Sequence, residues 1–191
     1  MAVNSRSPIG ARLLRLVPGR IARRFLRRQD GAAAVEFAMV AAPFLALTFA
    51  ILETALVFFA SQTLEAAASD ASRLIMTGQA QLANYTKADF KNQVCARIYG
   101  LFDCANKLQV DVKTYSSFSS VTPSAPVSNG TLDSTKTSYD PGDVGNIVAV
   151  TLYYDWPIYV SMFGNNLSSS SLATGHRLLA ATAVFRNEPY K

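Results

Sequence analysis

The sequence contains few of the residues from which metal and catalytic centres are built. Of its 191 residues only two are cysteine, Cys95 and Cys104, and one is histidine, His176. This set is too small and too widely spaced for a zinc site. A glycine-rich phosphate loop, the H-E-x-x-H and G-x-S-x-G motifs and an aspartate-rich calcium loop are also missing from the sequence. We therefore expect a protein that is not an enzyme and holds no metal or other cofactor.

Positive charge is concentrated at one end of the chain. Residues 1–30 contain eight arginines and one aspartate, a net charge of +7, whereas residues 31–191 contain ten basic and twelve acidic side chains, a net charge of −2. A basic segment can bind nucleic acid through its phosphates. Arginines directly before a long apolar segment are instead typical of the cytoplasmic side of a membrane anchor. We expect the second arrangement, with membrane lipid and not nucleic acid as the partner.

A long apolar segment follows the arginines. From Phe37 to Leu52 only Thr48 is polar, and apolar residues resume after Glu53 as far as Ala60. As a helix, this segment would extend about 43 Å at 1.5 Å per residue, which is ample for a bilayer core of about 30 Å. The next residues are rich in alanine, with apolar side chains at helical spacing. We predict a basic cytoplasmic leader over residues 1–31, a transmembrane helix over 32–60 and an amphipathic helical extension over 61–78.

Two carboxylates lie in this apolar segment, and each needs a partner or access to water because a charge in a membrane-spanning helix is costly. Glu53 is near the outer end, where it can reach the interface or make an intramembrane contact. Glu36 lies just inside the inner boundary, five residues after Gly31. If a peptidase cuts between Gly31 and Ala32, the new amino group of Ala32, from the same chain or a neighbour, is the obvious cation for Glu36.

Changes of hydrophobic period predict an α+β outer domain over residues 79–191. The segment Thr86-Lys87-Ala88-Asp89 resembles a capping box, and apolar residues follow it at helical spacing up to Phe102. Alternating or β-branched runs predict strands from Leu108 to Val112, from Asn146 to Tyr154 with Pro157 at the end, and from Arg177 to Phe185. Polar loops are predicted over 116–145 and 164–174. Because sequential strands usually lie side by side, the simplest arrangement is a small antiparallel three-stranded sheet packed on the helix.

The two cysteines are nine residues apart, Cys95 in the predicted second helix and Cys104 in the turn beyond it. The predicted topology puts them in an oxidising compartment, where a local disulfide is the expected state. Two reduced, buried thiols and half of a metal site are the alternatives.

The string from Arg27 to Ala38 (RRQDGAAAVEFA), continuing through Pro43 to Glu53, resembles type IV prepilins. It is most similar to the TadE-like pseudopilins of the tight-adherence (Flp-type) pilus machinery. The segment AVFRNEP, residues 183–189, is also similar to the end of TadE-like proteins. Phe37 stands where the major pilin often has tyrosine. The predicted outer domain of about 110 residues is long for a major Flp pilin, which indicates a minor subunit.

The resemblance implies a pilin-like fold, cleavage by a prepilin peptidase between Gly31 and Ala32, and a role for Glu36 and the adjacent Phe37 in subunit assembly. The implied partners are the prepilin peptidase, other pilin-like subunits and the pilus assembly machinery, and the implied process is cell adhesion. The implied location is the bacterial inner membrane, or a pilus assembled from it. A single span would leave the amino terminus cytoplasmic and the outer domain periplasmic.

Two other functions share parts of this topology. The first is a permanently anchored inner-membrane component or receptor, which keeps its leader and binds a partner through its outer domain. The second is a secreted domain released by signal peptidase. An ordinary signal has an apolar region of about 7–15 residues followed by a small-residue cleavage site, and the apolar segment here is longer and contains Glu53.

Overall fold

The structure is a computed structural model that describes residues 29–98, 100, 102–159, 168–169, 172 and 175–190. Residues 1–28 of the predicted leader, Leu101 of the predicted second helix and most of the loop predicted over 164–174 lie outside the described residues. The chain divides into two compact units, Met1–Leu45 and Ala46–Lys191. We refer to the second, residues 46–191, as the sheet unit.

The longest element is helix α1, Gln29–Met76, with 48 residues. Alanine, leucine and other good helix formers fill it, and Pro43 lies inside it. It ends where the sequence predicted, because Gly78 takes a left-handed conformation with φ +78°. This conformation is favourable only for glycine, and it turns the chain out of the helix.

The second half of α1 packs one stripe of side chains into the core of the sheet unit. The stripe follows helical spacing and consists mostly of small residues. Its members are Val57, Ala60, Leu64, Ala67, Ala68, Ala71 and Ile75. In the same core lie valines and leucines of the sheet. We call these seven residues the buried stripe.

A three-stranded antiparallel sheet in the order β1-β4-β5 covers this stripe, as predicted. Its strands are β1, Leu108–Tyr115, β4, Ile147–Pro157, and β5, His176–Arg186. Every residue of β4 from Ile147 to Tyr154 is buried, as expected for the β-branched and aromatic central strand. The observed fold class is α+β.

The predicted second helix is shorter than its apolar spacing indicated. Helix α3, Lys87–Cys95, begins at the predicted capping box, where Thr86 and Asp89 bond each other's backbone N–H groups. The prediction that it continues to Phe102 was wrong. Gly100 has φ +68°, which a helix cannot accommodate. Ile98 nevertheless reaches the core from the irregular segment after the helix.

Six further short elements lie in the described part of the sheet unit. Helices α2, Gln79–Leu82, and α4, Cys104–Lys107, are single turns. The long polar loop predicted over 116–145 contains a small hairpin of β2, Val127–Ser128, and β3, Thr131–Leu132, and two one-turn 3₁₀ helices, Phe118–Ser120 and Ser134–Lys136. Asn129 and Gly130 both have positive φ at the tip of the hairpin, and this dipeptide is a strong hairpin signal that the sequence analysis did not use.

The end of β5 is fixed against the end of α1. The backbone N–H of Glu188 donates to the carbonyl of Met76 at 2.8 Å. The ring of Tyr190 lies directly over Gly78, so a Cβ at position 78 would overlap it. Gly78 is therefore required both for its backbone conformation and for this close approach.

We predict that Gly78→Ala is much more destabilising than Gly145→Ala. Both glycines have φ near +79°, which costs an alanine about 1–2 kcal/mol. Only at Gly78 does the added Cβ meet another group; at Gly145 it enters open space. The overlap should add about 1–3 kcal/mol to the loss in free energy of unfolding at Gly78. The measurement is urea unfolding of the full chain in detergent, followed by the fluorescence of the single tryptophan, Trp156.

Tyr190→Ala provides the matched test of the cause. If the overlap with the ring is responsible, the double variant Gly78→Ala, Tyr190→Ala should lose less free energy of unfolding than the two single variants lose in sum. Equal destabilisation by Gly78→Ala and Gly145→Ala would contradict the prediction.

Candidate functional site

The predicted processing site lies at the start of α1. Gly31 and Ala32 are the third and fourth residues of the helix, within its first turn, and both are exposed. A Cβ added at Gly31 would meet nothing within 4 Å. The backbone N–H groups of a first helical turn have no partner inside the helix, and helix ends fray readily. The Gly31–Ala32 bond is thus helical but sterically open.

Glu36 and Phe37 follow within the next two turns, and both side chains are exposed, Phe37 to 75%. Among the described residues no hydrogen bond or ion pair engages the Glu36 carboxylate. The large side chains around it and further along the helix are apolar and exposed. They are Val35, Met39, Val40, Phe44, Leu45, Leu47, Phe49, Ile51 and Leu52. Glu36 is therefore an isolated charge on an apolar surface.

Such a surface fits a lipid environment. Within the described part of the chain, one helix, Gly31–Met76, is long and apolar enough to cross a membrane by length and composition. Large apolar groups exposed over many helical turns are rare on soluble monomers and typical of membrane-spanning or docking surfaces. The helix therefore suggests membrane anchoring.

Glu53 has the opposite environment to Glu36. Only 5% of Glu53 is exposed, and its Oε1 accepts a hydrogen bond of 3.2 Å from the backbone N–H of Tyr159, just beyond the end of β4. This contact joins residues 106 positions apart. It lies within the sheet unit, and sequence reasoning had no signal for it. The intramembrane contact of Glu53 stays a prediction.

Glu36 and Glu53 lie in different compact units of the chain, seventeen residues apart in the sequence. Among the described residues, moreover, no group of three or more histidine, cysteine, aspartate or glutamate side chains could hold a metal ion.

Cys95 and Cys104 form a disulfide at the end of α3. The segment between them is further held by an aromatic cluster, in which the ring of Phe102 packs edge-on against Tyr154 and Trp156. The Tyr154 hydroxyl accepts a 2.9 Å hydrogen bond from the backbone N–H of Asp103, and burial raises the pKa of this phenol. The disulfide therefore closes the turn after α3, while Phe102 and Asp103 fasten this turn to the central strand. Neither cysteine is a free thiol.

The single histidine is hydrogen-bonded to a carboxylate. The Nδ1 atom of His176 lies 2.7 Å from Oδ1 of Asp155, on the adjacent strand. A histidine oriented by a carboxylate can serve as a general base when a nucleophile contacts its other nitrogen. In the part of the chain that the structure describes, no serine or threonine hydroxyl is hydrogen-bonded to this ring.

One family comparison matches the chain. The model of the family described as TadE-like protein matches residues 31–73. The matched segment begins at Gly31, includes Glu36 and Glu53, and ends within the buried stripe. The search of curated proteins gave no match, and neither did the search of solved structures. The match is consistent with a TadE-like protein of the tight-adherence pilus system, whose family is a structural component of the pilus, and it suggests other pilus subunits as partners.

We predict that Glu53→Ala destabilises the sheet unit because the N–H of Tyr159 loses its charged acceptor. A hydrogen bond to a charged group contributes about 1.5–3 kcal/mol. Glu53→Gln keeps an acceptor oxygen at the same distance from the backbone and should therefore lose less free energy of unfolding than Glu53→Ala. The measurement is urea unfolding of the full chain in detergent, read from Trp156.

Glu65→Ala is the matched control, since Glu65 lies on the exposed side of the same helix. It should change the free energy of unfolding by no more than about 0.5 kcal/mol. Equal effects of Glu53→Ala and Glu65→Ala would show that the contact with Tyr159 does not stabilise the unit.

Proposed function

We propose that this chain is a minor, pilin-like subunit of a tight-adherence (Flp-type) pilus, that it is cut after Gly31 by a prepilin peptidase, and that it acts in assembly without catalysing a reaction. The observation that carries the proposal is the family match beginning at Gly31, combined with an exposed, unpaired Glu36 five residues later. In this proposal the domains are the leader, 1–31, the membrane helix, its amphipathic extension to residue 78, and the outer domain, 79–191.

Glu36 supports the assembly role because an unpaired carboxylate on an apolar helix is unfavourable in lipid. Cleavage between Gly31 and Ala32 would create an ammonium group four residues before Glu36. The amine of a neighbouring subunit can reach the carboxylate when two such helices lie side by side. Their pairing inside a low-dielectric environment would bind one subunit to the next and fix their relative height.

The apolar surface of α1 supports a second part of the proposal. Phe37 and the other exposed apolar side chains need lipid or other helices around them. In a membrane, lipid satisfies them, and in an assembled pilus, the helices of other subunits do so. The other pilin-like subunits and the assembly machinery are the partners that this surface fits.

The charge distribution supports a cytoplasmic leader. Residues 1–30 have a net charge of +7, and arginines are retained on the cytoplasmic side of a membrane. The sheet unit would then face the periplasm, and its disulfide is of the kind that oxidising compartments maintain. We propose the bacterial inner membrane as the location before assembly.

A permanently anchored membrane component is the second candidate. One observation favours it: Gly31 and Ala32 are helical, whereas proteolysis concentrates at exposed, irregular segments. Such a component would keep residues 1–31 and bind its partner through the sheet unit. Cleavage is the property that separates the two candidates.

We predict that co-expression with the cognate prepilin peptidase removes residues 1–31 and leaves Ala32 first, whereas Gly31→Ala blocks this cut. The added Cβ enters open space, and alanine favours a helix by about 0.5–1 kcal/mol over glycine. A loss of cleavage therefore reports recognition by the peptidase and not misfolding. The measurement is the intact mass of the membrane-bound protein.

Gly19→Ala is the control, because it changes a glycine of the same leader away from the cut. This variant should be processed normally. A full-length native chain in the presence of active peptidase would contradict the proposal and favour the permanent anchor.

We predict that Glu36→Gln leaves membrane insertion and cleavage intact but reduces recovery of the chain with other pilus subunits by about tenfold or more, the factor that corresponds to 1.4 kcal/mol. Glutamine has the shape of glutamate without the charge that would pair with an amine. The measurement is crosslinking in membranes followed by quantitative mass spectrometry, with pili counted by electron microscopy.

Glu65→Gln, an exposed position on the same helix, serves as the matched variant and should crosslink normally. Normal piliation and crosslinking of Glu36→Gln would remove the assembly role of Glu36 while leaving the processing result intact.

A further inference from the structure

The segment after β4 leads to an exposed aromatic residue beside α1. The central strand is buried to Tyr154 and ends at Pro157, and Trp156 is also buried. Tyr159 follows two residues later with 77% of its surface exposed. Its backbone N–H is held by the Glu53 carboxylate at 3.2 Å, which fixes Tyr159 next to the helix at the level of Glu53.

Two more aromatic residues are exposed just beyond this level. Phe58 and Phe59 are 67% and 58% exposed, and they lie about 7–9 Å further along the helix axis than Glu53. At about 100° per residue they point to the sides of the helix away from Glu53. Tyr159, Phe58 and Phe59 thus lie within a narrow band around α1. We call these three residues the aromatic band.

The exposed side of α1 changes character at this band. Before the band, from Phe37 to Leu56, the exposed large side chains are apolar. After the band they are polar or charged. The exposed polar residues of that part of the helix are Gln62, Glu65, Ser69, Asp70 and Arg73. The boundary between an apolar and an aqueous environment therefore falls at the aromatic band.

The irregular backbone near Glu53 limits how far the hydrocarbon region of a membrane can extend along α1. Irregular backbone does not occur exposed to lipid within the hydrocarbon region, and Ile158 and Tyr159 follow the strand without secondary structure of their own. The hydrocarbon must then end close to Glu53. Residues 31–52 alone would extend about 33 Å as a helix, enough for a core of about 30 Å. The transmembrane segment predicted over 32–60 is longer than is needed.

We propose that the aromatic band of Phe58, Phe59 and Tyr159 binds the interfacial headgroup region of a phospholipid bilayer, so that this end of the sheet unit rests on the membrane surface. Tyrosine and other aromatic side chains are enriched at this depth, where an apolar ring and a polar group are both satisfied. Glu53 acts as the positioning residue that holds Tyr159 there. The proposal requires membrane anchoring only and is independent of a role in a pilus.

The test places a tryptophan at Tyr159 and measures its quenching by brominated lipid. The full chain with Trp156→Phe and Tyr159→Trp is reconstituted in phosphatidylcholine vesicles whose acyl chains carry bromine close to the headgroup or close to the bilayer centre. We expect shallow bromine to quench the new tryptophan roughly three times more strongly than deep bromine, as an interfacial depth requires. Its emission should also lie to the blue of that of a water-exposed tryptophan.

Phe118→Trp in the same background is the matched control. Phe118 is another exposed aromatic residue, at 57%. It follows the end of β1 that pairs with Ile147, at the opposite end of β4 from Trp156. Bromine at either depth should leave this tryptophan almost unquenched. Equal quenching at positions 159 and 118 would overturn the proposal, and quenching of Tyr159→Trp mainly by deep bromine would overturn the interfacial depth.

A second version avoids the change at Trp156. Tyr159→Trp and Phe118→Trp are each made with Trp156 retained, and quenching of the native chain, whose only tryptophan is Trp156, is subtracted. An excess of shallow quenching for Tyr159→Trp alone supports the proposal, and the absence of that excess contradicts it. Neither outcome depends on cleavage after Gly31 or on piliation.

Discussion

The packing of the buried stripe of α1 against the central strand β4 is the interaction on which the rest of the sheet unit depends. A sheet with one apolar face has to bury it against another layer, and no other helix of the unit is longer than nine residues among those described. The stripe is rich in alanine and shares one buried cluster with the side chains of the sheet. Leu64 and Ile75 fill the space between them, with no exposed surface. The disulfide and the short helices attach to this two-layer core.

The same helix contains two carboxylates, Glu53 and Glu36, of which the first is buried and the second exposed. Glu53 is enclosed by its own sheet unit and accepts a backbone hydrogen bond, so it serves the internal structure of the chain. Glu36 is exposed on an apolar stretch, so its charge can be compensated only from outside the residues that the structure describes. The two glutamates of one apolar segment are thus one structural carboxylate and one that no described residue compensates.

Much of the fold could be predicted from the sequence because its periodicities are local. The 3.6-residue spacing and Gly78 defined α1 and its end, alternation and β-branching defined the three strands, and Thr86 with Asp89 defined the start of α3. The predicted end of α3 at Phe102 was wrong. Residues 90, 94, 98 and 102 keep a helical spacing, although Gly100 has a left-handed backbone conformation that a helix excludes. Gly31, Ala32, Glu36 and Phe37 were predicted as site residues from a motif. The contact between Glu53 and Tyr159 could not be, because it depends on a tertiary arrangement that brings together residues 106 positions apart.

The hydrogen bond from Glu188 to Met76 also imposes an order of events on biogenesis. Strand β5 begins one hundred residues after α1 ends. Only after β5 has been synthesised can β4 pair with it and the N–H of Glu188 bond the carbonyl of Met76. During synthesis the buried stripe is therefore complete well before the last strand of the sheet that covers it. Folds dominated by contacts so distant in sequence form slowly. The sheet unit can close only after β5 has been synthesised, so α1 is complete long before the sheet that packs on it.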